Sequence, residues 1–355
     1  MADDSRIISS RPTFKVGGRD VGSLSEALLE LRVDENLHGL YACEAVFGNW
    51  GPSNGQTTYL YFDRQTLEFG KDFEVALGSD TLFKGRIMAL EARFPEGGPP
   101  AVAVLVEDRL QDLRMTRRTR TFADMSDSDV MSQMASDHGL TPDVSVTGPT
   151  HKVLAQLNLS DLAFLRERAR VLDVELWVDG TTLSAKSHSS RNGGSLTLGF
   201  GNELREFTVL ADLAEQRTSV SVTGWDVAAK DGLAETADDS VVSGELNNGD
   251  SGASLLQSAL GERKENVAYS VPVTSQEAKA TSEALFKQRA RRFVTGRGVA
   301  KTDAKLRVGA TVTLNGLGPL FSGDYYVVES EHRFDATNGL RTSFAVERPG
   351  LGKAA

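Results

Sequence analysis

Along the first third of the chain, apolar and polar residues alternate in short runs broken by glycine, the period of half-buried β-strands. Runs of this kind occupy 41–47, 73–77, 86–94 and 101–106. Phe14-Lys15-Val16 and Arg19-Asp20-Val21 flank Gly17-Gly18, the signal of a two-residue hairpin. Short strands separated by glycine-bearing turns predict a barrel or sandwich.

The period changes near residue 122. Ser126 is placed to cap a helix whose first turn holds Asp127 and Asp129, whose apolar stripe is Val130, Met131, Met134 and Ala135, and whose end is marked by Gly139. A second helix begins at Ser160, with Leu162, Leu165, Ala169 and Leu172 on one face. Val174 to Val178 and Thr182 to Ala185 then flank Asp179-Gly180, a second hairpin signal. Residues 111 to about 200 therefore read as a small α+β unit. Strand patterns return at 206–210 and 219–222. From 226 to 267 nine acids stand against three bases among Gly, Asn, Asp and Ser, which predicts an exposed excursion. A helix follows over about 276–294, then strands at 311–314, 325–330 and 342–347.

A chain of 355 residues fits two to four packed units. Its 40% hydrophobic and 25% charged content is that of a globular protein, and 10 prolines are too few for a long disordered linker. The net charge of −10 argues against a general nucleic-acid binder. The lone Cys43 excludes an internal disulfide and fits folding in a reducing cytoplasm. The opening Met-Ala-Asp-Asp-Ser-Arg shows no leader pattern, and no run of 18 apolar residues is present to span a membrane.

Four stretches in order resemble the late control D family of phage tails, which includes the hub part of VgrG proteins. They are FADMSDSDVMSQMASDHGL (122–140), LNLSDLAFLRERARVLDVELWVDGTTLSAK (157–186), VSVTGWDVAAKDGL (220–233) and ARRFVTGRGVAKTDAKLRVGATVTLNGLGPLFSGDYYVVESEHRFD (290–335). The resemblance spans about 10–348. It implies a mixed β and α+β fold with two tail-tube-like β-barrels and α+β insertions, assembled as a trimeric ring. The expected units are a first barrel over 1–110, an α+β domain over 111–203, a second barrel from 204–225 and 300–350, and an insertion with an acidic loop and helix over 226–299. The implied function is that of a structural, non-enzymatic baseplate hub adapting a six-fold inner tube to a three-fold spike. Implied partners are two further copies of the chain, the inner tube protein, a separate spike protein and baseplate wedge proteins, with no membrane, cofactor or small-molecule substrate. The implied place is the bacterial cytoplasm during assembly and then a phage tail or phage-tail-like particle. The chain ends at Lys353-Ala354-Ala355, soon after the last strand pattern, so the spike is expected on another chain. The alternative is a peptidoglycan-hydrolysing tail hub enzyme.

Candidate chemistry is sparse, and no catalytic, cofactor-binding or metal-binding residue is expected. His38, His138, His151, His188 and His332 are scattered, without the spacing of a metalloprotease helix. The 49 acids could contain a glycosidase pair, but its separation is invisible in sequence. Gly199-Phe200-Gly201 and Gly296-Arg297-Gly298 lack a phosphate-binding context and read as turns or bulges. Two basic stretches stand out: Arg114, Arg117, Arg118 and Arg120, and 287–307 with eight bases and one acid. Each is a solvated face, an electrostatic seam against an acidic neighbour, or, least favoured, a DNA contact. The apolar 317–326 loop is either packing of the second barrel or a subunit contact.

Overall fold

The computed structural model describes residues 11–353 apart from 54, 227, 228, 248 and 271; the opening hexapeptide and Ala354-Ala355 lie outside the described residues. It is a mixed fold dominated by strands, with one 13-stranded sheet as its frame. The alternation dictates the sheet. In Leu28–Asn36 the side chains of Leu31, Val33 and Glu35 turn inward and those of Glu30 and Arg32 turn out.

Apart from the two-residue strand Arg19–Asp20, which pairs with Thr13–Val16, the large sheet is two six-stranded units with one connectivity. The first holds, in spatial order, Thr13–Val16, Asp72–Leu77, Asp80–Arg93, Ala101–Glu107, Ala42–Gly48 and Leu28–Asn36. The second holds Ser195–Gly199, Thr311–Asn315, Gly323–Asp335, Gly339–Arg348, Val294–Lys301 and Leu204–Ala211. In both, the first strand of the unit pairs with the fourth, followed by the fifth, sixth, third and second. Register repeats as well as order. A bulge between Leu28 and Glu30 has its twin between Leu204 and Glu206, and one between Ile87 and Ala89 has its twin between Val327 and Glu329. One pairing differs: Thr13–Val16 runs antiparallel to its neighbour, whereas Ser195–Gly199 runs parallel to its own.

Each unit curls around its own core. Phe14, Leu31, Phe47, Phe73, Ile87 and Val104 fill the first, and Leu204, Phe293, Val312, Tyr325 and Phe344 the second. Among the described residues neither ladder closes completely. The first and second strands of the first unit are linked through the short helix Gly22–Ala27, and those of the second meet at a single bridge, Phe200 to Leu204. The two units join edge to edge where Leu28–Asn36 pairs with Gly323–Asp335.

Between them lies an α+β unit on a third core that includes Leu113, Phe122, Met131, Met134, Leu162, Leu165 and Leu183. Helix Asp127–Asp137 starts as expected: the Ser126 hydroxyl accepts from the Asp129 backbone N–H, and the Asp129 carboxylate accepts from the Ser126 N–H. Helix Asp161–Val171 is capped by Ser160. The hairpin of Val174–Asp179 and Thr182–Ser187 forms one residue later than the dipeptide suggested. Asp179 pairs with Thr182, so Gly180, at φ +58°, and Thr181 make the turn.

The acidic stretch corrects the expectation of an exposed excursion. Strands Asp231–Ala237 and Lys264–Val267 flank Ser219–Asp226 in a separate three-stranded sheet, and helix Gly252–Leu260 lies between them in sequence. Val220, Val222, Val242, Ala253 and Val267 form a fourth core beneath helix Ser275–Arg291. In the 204–225 stretch, Leu204–Ala211 therefore belongs to the large sheet and Ser219–Asp226 to the small one. No described helix is long and apolar enough to cross a membrane.

Candidate functional site

The continuous sheet presents one face to the cores and the other to solvent, the usual arrangement of an antiparallel sheet. Its outer face carries ion pairs along and across strands, beside a small apolar patch of Val46, Ala101 and Ala103. Arg32 binds Asp34 at 2.9 Å and Glu331 at 2.7 Å, so this contact straddles the join between the two units. Arg93 binds Glu44 at 2.7 Å and Glu91 at 2.8 Å, and Arg297 reaches Glu329 at 3.5 Å. Desolvation pushes the Asp34 carboxyl up, with Arg32 opposing and Glu331 adding to it. A groove of about 710 Å³ runs along this face, with Arg32, Asp34, Thr208, Arg297, Glu329 and Glu331 in its lining.

Beneath the sheet, one buried cluster ties three units together. Arg191 donates to Glu175 Oε2 at 2.9 Å, to the Tyr41 hydroxyl at 2.6 Å and to the Val308 carbonyl at 2.9 Å, and stacks 4.3 Å over Trp177. Glu175 also meets His188 Nδ1 at 2.8 Å and accepts from the Tyr326 hydroxyl at 2.8 Å. Tyr41 comes from the first six-stranded unit, Glu175 and His188 from the α+β unit, and Tyr326 and Val308 from the second. Burial opposes the charge on Glu175, but His188 and Arg191 hold its carboxyl below the usual range. Nearby, the buried Glu35 takes Arg307 at 2.9 Å and the Val308 N–H at 3.0 Å. Desolvation pushes the Glu35 carboxyl up, and Arg307 works against it.

The histidines are structural pieces of this frame. His138 Nε2 meets buried Asp161 at 2.8 Å, His332 is buried against Thr342, and His38 sits exposed in a loop whose carbonyl accepts from Arg166. His151 is buried between Asp127 and Glu277, each at 2.8 Å, with Arg168 beside it. It thus couples the α+β unit to helix Ser275–Arg291. Its hydrogen bonds to Asp127 and then Glu277 raise its pKa to about 9. A histidine raised on folding stabilises fully below its unfolded value, about 6.5, and loses that contribution as pH climbs through the folded one. Thermal midpoints should therefore fall between pH 6.5 and 10 by more in the native protein than in H151Q. Equal slopes would show that this contact does not couple to folding. Among the described residues no group of three or more His, Cys, Asp or Glu is placed to hold a metal ion.

The basic stretches are largely consumed inside the chain. Arg120 binds Asp161 at 3.1 Å and Asp137 at 3.2 Å, Arg118 reaches Asp161 at 3.4 Å, and Arg114 binds Glu107 at 2.7 Å. In 287–307, Arg289 pairs with Glu265, buried Arg291 with Glu245 and Asp173, and Arg307 with Glu35. Acids from the 226–267 stretch thus neutralise helix Ser275–Arg291, which sequence distance concealed. In the 317–326 segment Tyr325 is buried, its hydroxyl donates to the Phe321 carbonyl at 2.7 Å and Arg348 stacks over it at 4.2 Å, whereas Gly318, Pro319 and Leu320 are exposed. The residues missed in sequence are Glu35, Tyr41, Glu175 and Arg191. The one available signal was charge at inward positions of alternating strands, as at Glu35.

Three solved structures share this fold over nearly the whole chain. The 43 kDa tail protein of prophage MuSo2 from Shewanella oneidensis is 12% identical, with 96% of this chain and 98% of that one covered and a TM-score of 0.67. The tail protein from Neisseria meningitidis MC58 is 13% identical over 96% and 97%, at 0.65. The c3393 protein of E. coli, a component of the type VI secretion system similar to T4 bacteriophage tail proteins gp27 and gp5, is 12% identical over 96% and 79%, at 0.57. At such identities the likeness establishes the fold. No curated protein sequence matches the chain. The family model described as the Alg8 N-terminal domain matches residues 15–335, and the chain belongs to that family.

Proposed function

We propose that this chain is a non-enzymatic structural component of a phage tail or phage-tail-like baseplate, and within it the hub of late control D type. Three copies would form a ring that meets a six-fold inner tube on one side and a separate three-fold spike on the other, with wedge proteins around it and no cofactor. Assembly would take place in the bacterial cytoplasm. The observation that carries this reading is the internal duplication: two six-stranded units with one strand order and the same two bulges, differing in the direction of one edge strand. A chain with two equivalent units turns three copies into six, and closed assemblies require rotation and copy number to agree. The four motif stretches and the folds of the tail proteins support the same assignment. The ion pairs on the outer face of the sheet suit the wall of a hydrated channel.

Light scattering tests it, on the chain alone and co-expressed with its spike protein. The expected mass is three times 38.3 kDa for the chain component. A single-chain mass under both conditions would refute the ring.

A further inference from the structure

Of the five arginines in 287–307, four bind carboxylates: Arg289, Arg291, Arg297 and Arg307. The fifth, Arg292, makes no ion pair or side-chain hydrogen bond among the described residues, and it is exposed. Helix Asp161–Val171 holds a similar exception. There Arg168 pairs with Asp127, and Arg166 donates to the carbonyls of His38 at 2.8 Å and Gly39 at 3.1 Å. The exposed Arg170 guanidinium has no such partner among the described residues.

These exceptions meet. Arg166, Arg170 and Arg292 line one cavity of about 380 Å³, together with His38, Gln288 and Glu347. The cavity lies where four units adjoin. His38 follows strand Leu28–Asn36 of the first six-stranded unit, Arg166 and Arg170 belong to the α+β unit, Gln288 and Arg292 to the end of helix Ser275–Arg291, and Glu347 to the second six-stranded unit. Gln288 Nε2 donates to the Arg170 carbonyl at 2.8 Å and ties two of the walls. The other acids of the lining are matched, Asp173 by Arg291 at 2.6 Å and Glu175 by His188 and Arg191. Glu347 has no ion pair or side-chain hydrogen bond among the described residues, and desolvation pushes its carboxyl up, with His188, Arg291 and Arg292 opposing. Desolvation lowers the His38 pKa, and Arg166, Arg170 and Arg292 lower it further, so the three guanidiniums act on one point. Arg170 and Arg292 also stand at helix C-termini, where a cation offsets the carbonyl charge. That role accounts for neither the cavity nor the unmatched Glu347.

We propose that this cavity binds a small phosphate ester bearing hydroxyl groups, its oxyanion held by Arg166, Arg170 and Arg292 and a hydroxyl donating to Glu347. Guanidinium forks match phosphate oxygens in pairs, a phosphate monoester carries close to two negative charges, and the volume is that of a small-ligand pocket. No reaction is involved. The ligand is a clamp across four units that binds the folded chain and thereby stabilises it. The site lies within a single copy and does not depend on the hub reading.

Calorimetric titration of the full chain with glycerol 3-phosphate, at an ionic strength fixed with sodium chloride, tests the site. One ligand per chain is expected, with inorganic phosphate about tenfold weaker because it offers no hydroxyl to Glu347. R170Q/R292Q should weaken both ligands by about tenfold or more. E347A should remove the preference for the ester while inorganic phosphate still binds. In the native chain, saturating ligand should raise the titration midpoint of His38, followed by NMR and assigned with H38Q, because an added anion offsets the three cations. Circular dichroism verifies that each variant is folded. Absence of binding, or binding unchanged in folded R170Q/R292Q, would overturn the site and leave these arginines as helix-end charges. A preference for the ester that survives E347A would overturn the role of Glu347.

Discussion

Replacing Arg191 with methionine should cost about 3–5 kcal/mol, because it leaves a buried carboxylate and two partner oxygens without their cation. Arg191 is buried, and its guanidinium is the only group contacting all three of Glu175, the Tyr41 hydroxyl and the Val308 carbonyl in the described residues. His188 remains near Glu175 in the variant, but it cannot reach across to the first unit. Urea unfolding should therefore lose cooperativity as well as midpoint, with the six-stranded units melting apart. R191K should behave nearly as badly, since one ammonium cannot reproduce a planar fork stacked on Trp177. A single transition shifted by less than about 1 kcal/mol would mean that the cluster does not hold the units together.

The second large effect contrasts twin glycines. Gly70 and Gly309 occupy the same place in the duplicated ladder: the N–H of Gly70 donates to the Ile87 carbonyl and that of Gly309 to the Val327 carbonyl. Both have positive φ, +75° and +89°, so alanine at either is strained by about 1–2 kcal/mol. Only at Gly309 would the new methyl also collide with Arg191 Nε, while at Gly70 nothing lies within 4 Å. G309A should therefore lose a further 1–3 kcal/mol, about the cost of overpacking, and share the uncoupled unfolding of the Arg191 variant. Chemical denaturation of both variants reads the difference. Equal losses would show that the backbone conformation, and not the Arg191 cluster, sets the requirement for glycine at 309.

Much of the frame was legible. The 41–47 and 101–106 runs, the Ser126 cap, the helix start at Ser160 and the Gly17-Gly18 hairpin all depend on neighbours in sequence, and they fold as strands Ala42–Gly48 and Ala101–Glu107, the two helices and the Thr13–Val16 hairpin. What escaped depends on partners far away. Leu28–Asn36 reads LLELRVDEN, in which Glu35 breaks the apolar alternation; its inward carboxylate is tolerable only because Arg307 arrives from the other unit. The ribbon of Arg117–Ser126 and Thr150–Ser160 was hidden because arginines crowd the first strand while Val153 and Leu157 stand exposed on the second. The acidic stretch looked like solvent-exposed loop because its balancing cations, Arg289 and Arg291, lie on a later helix. The Arg191 cluster gathers Tyr41, Glu175 and Tyr326 from three units, and no local spacing announces such a meeting.

Under the proposed hub reading, the duplication matters because it would set the symmetry of a ring of these chains. Two copies of one strand order within 355 residues mean that a threefold assembly repeats the same unit six times. Averaged electron micrographs of the assembled ring, viewed down its axis, test this most directly. Six lobes of near-equal density around a channel, modulated with a threefold period by the α+β units, are the predicted result. A ring of three lobes, or lobes with no periodic relation to one another, would contradict it.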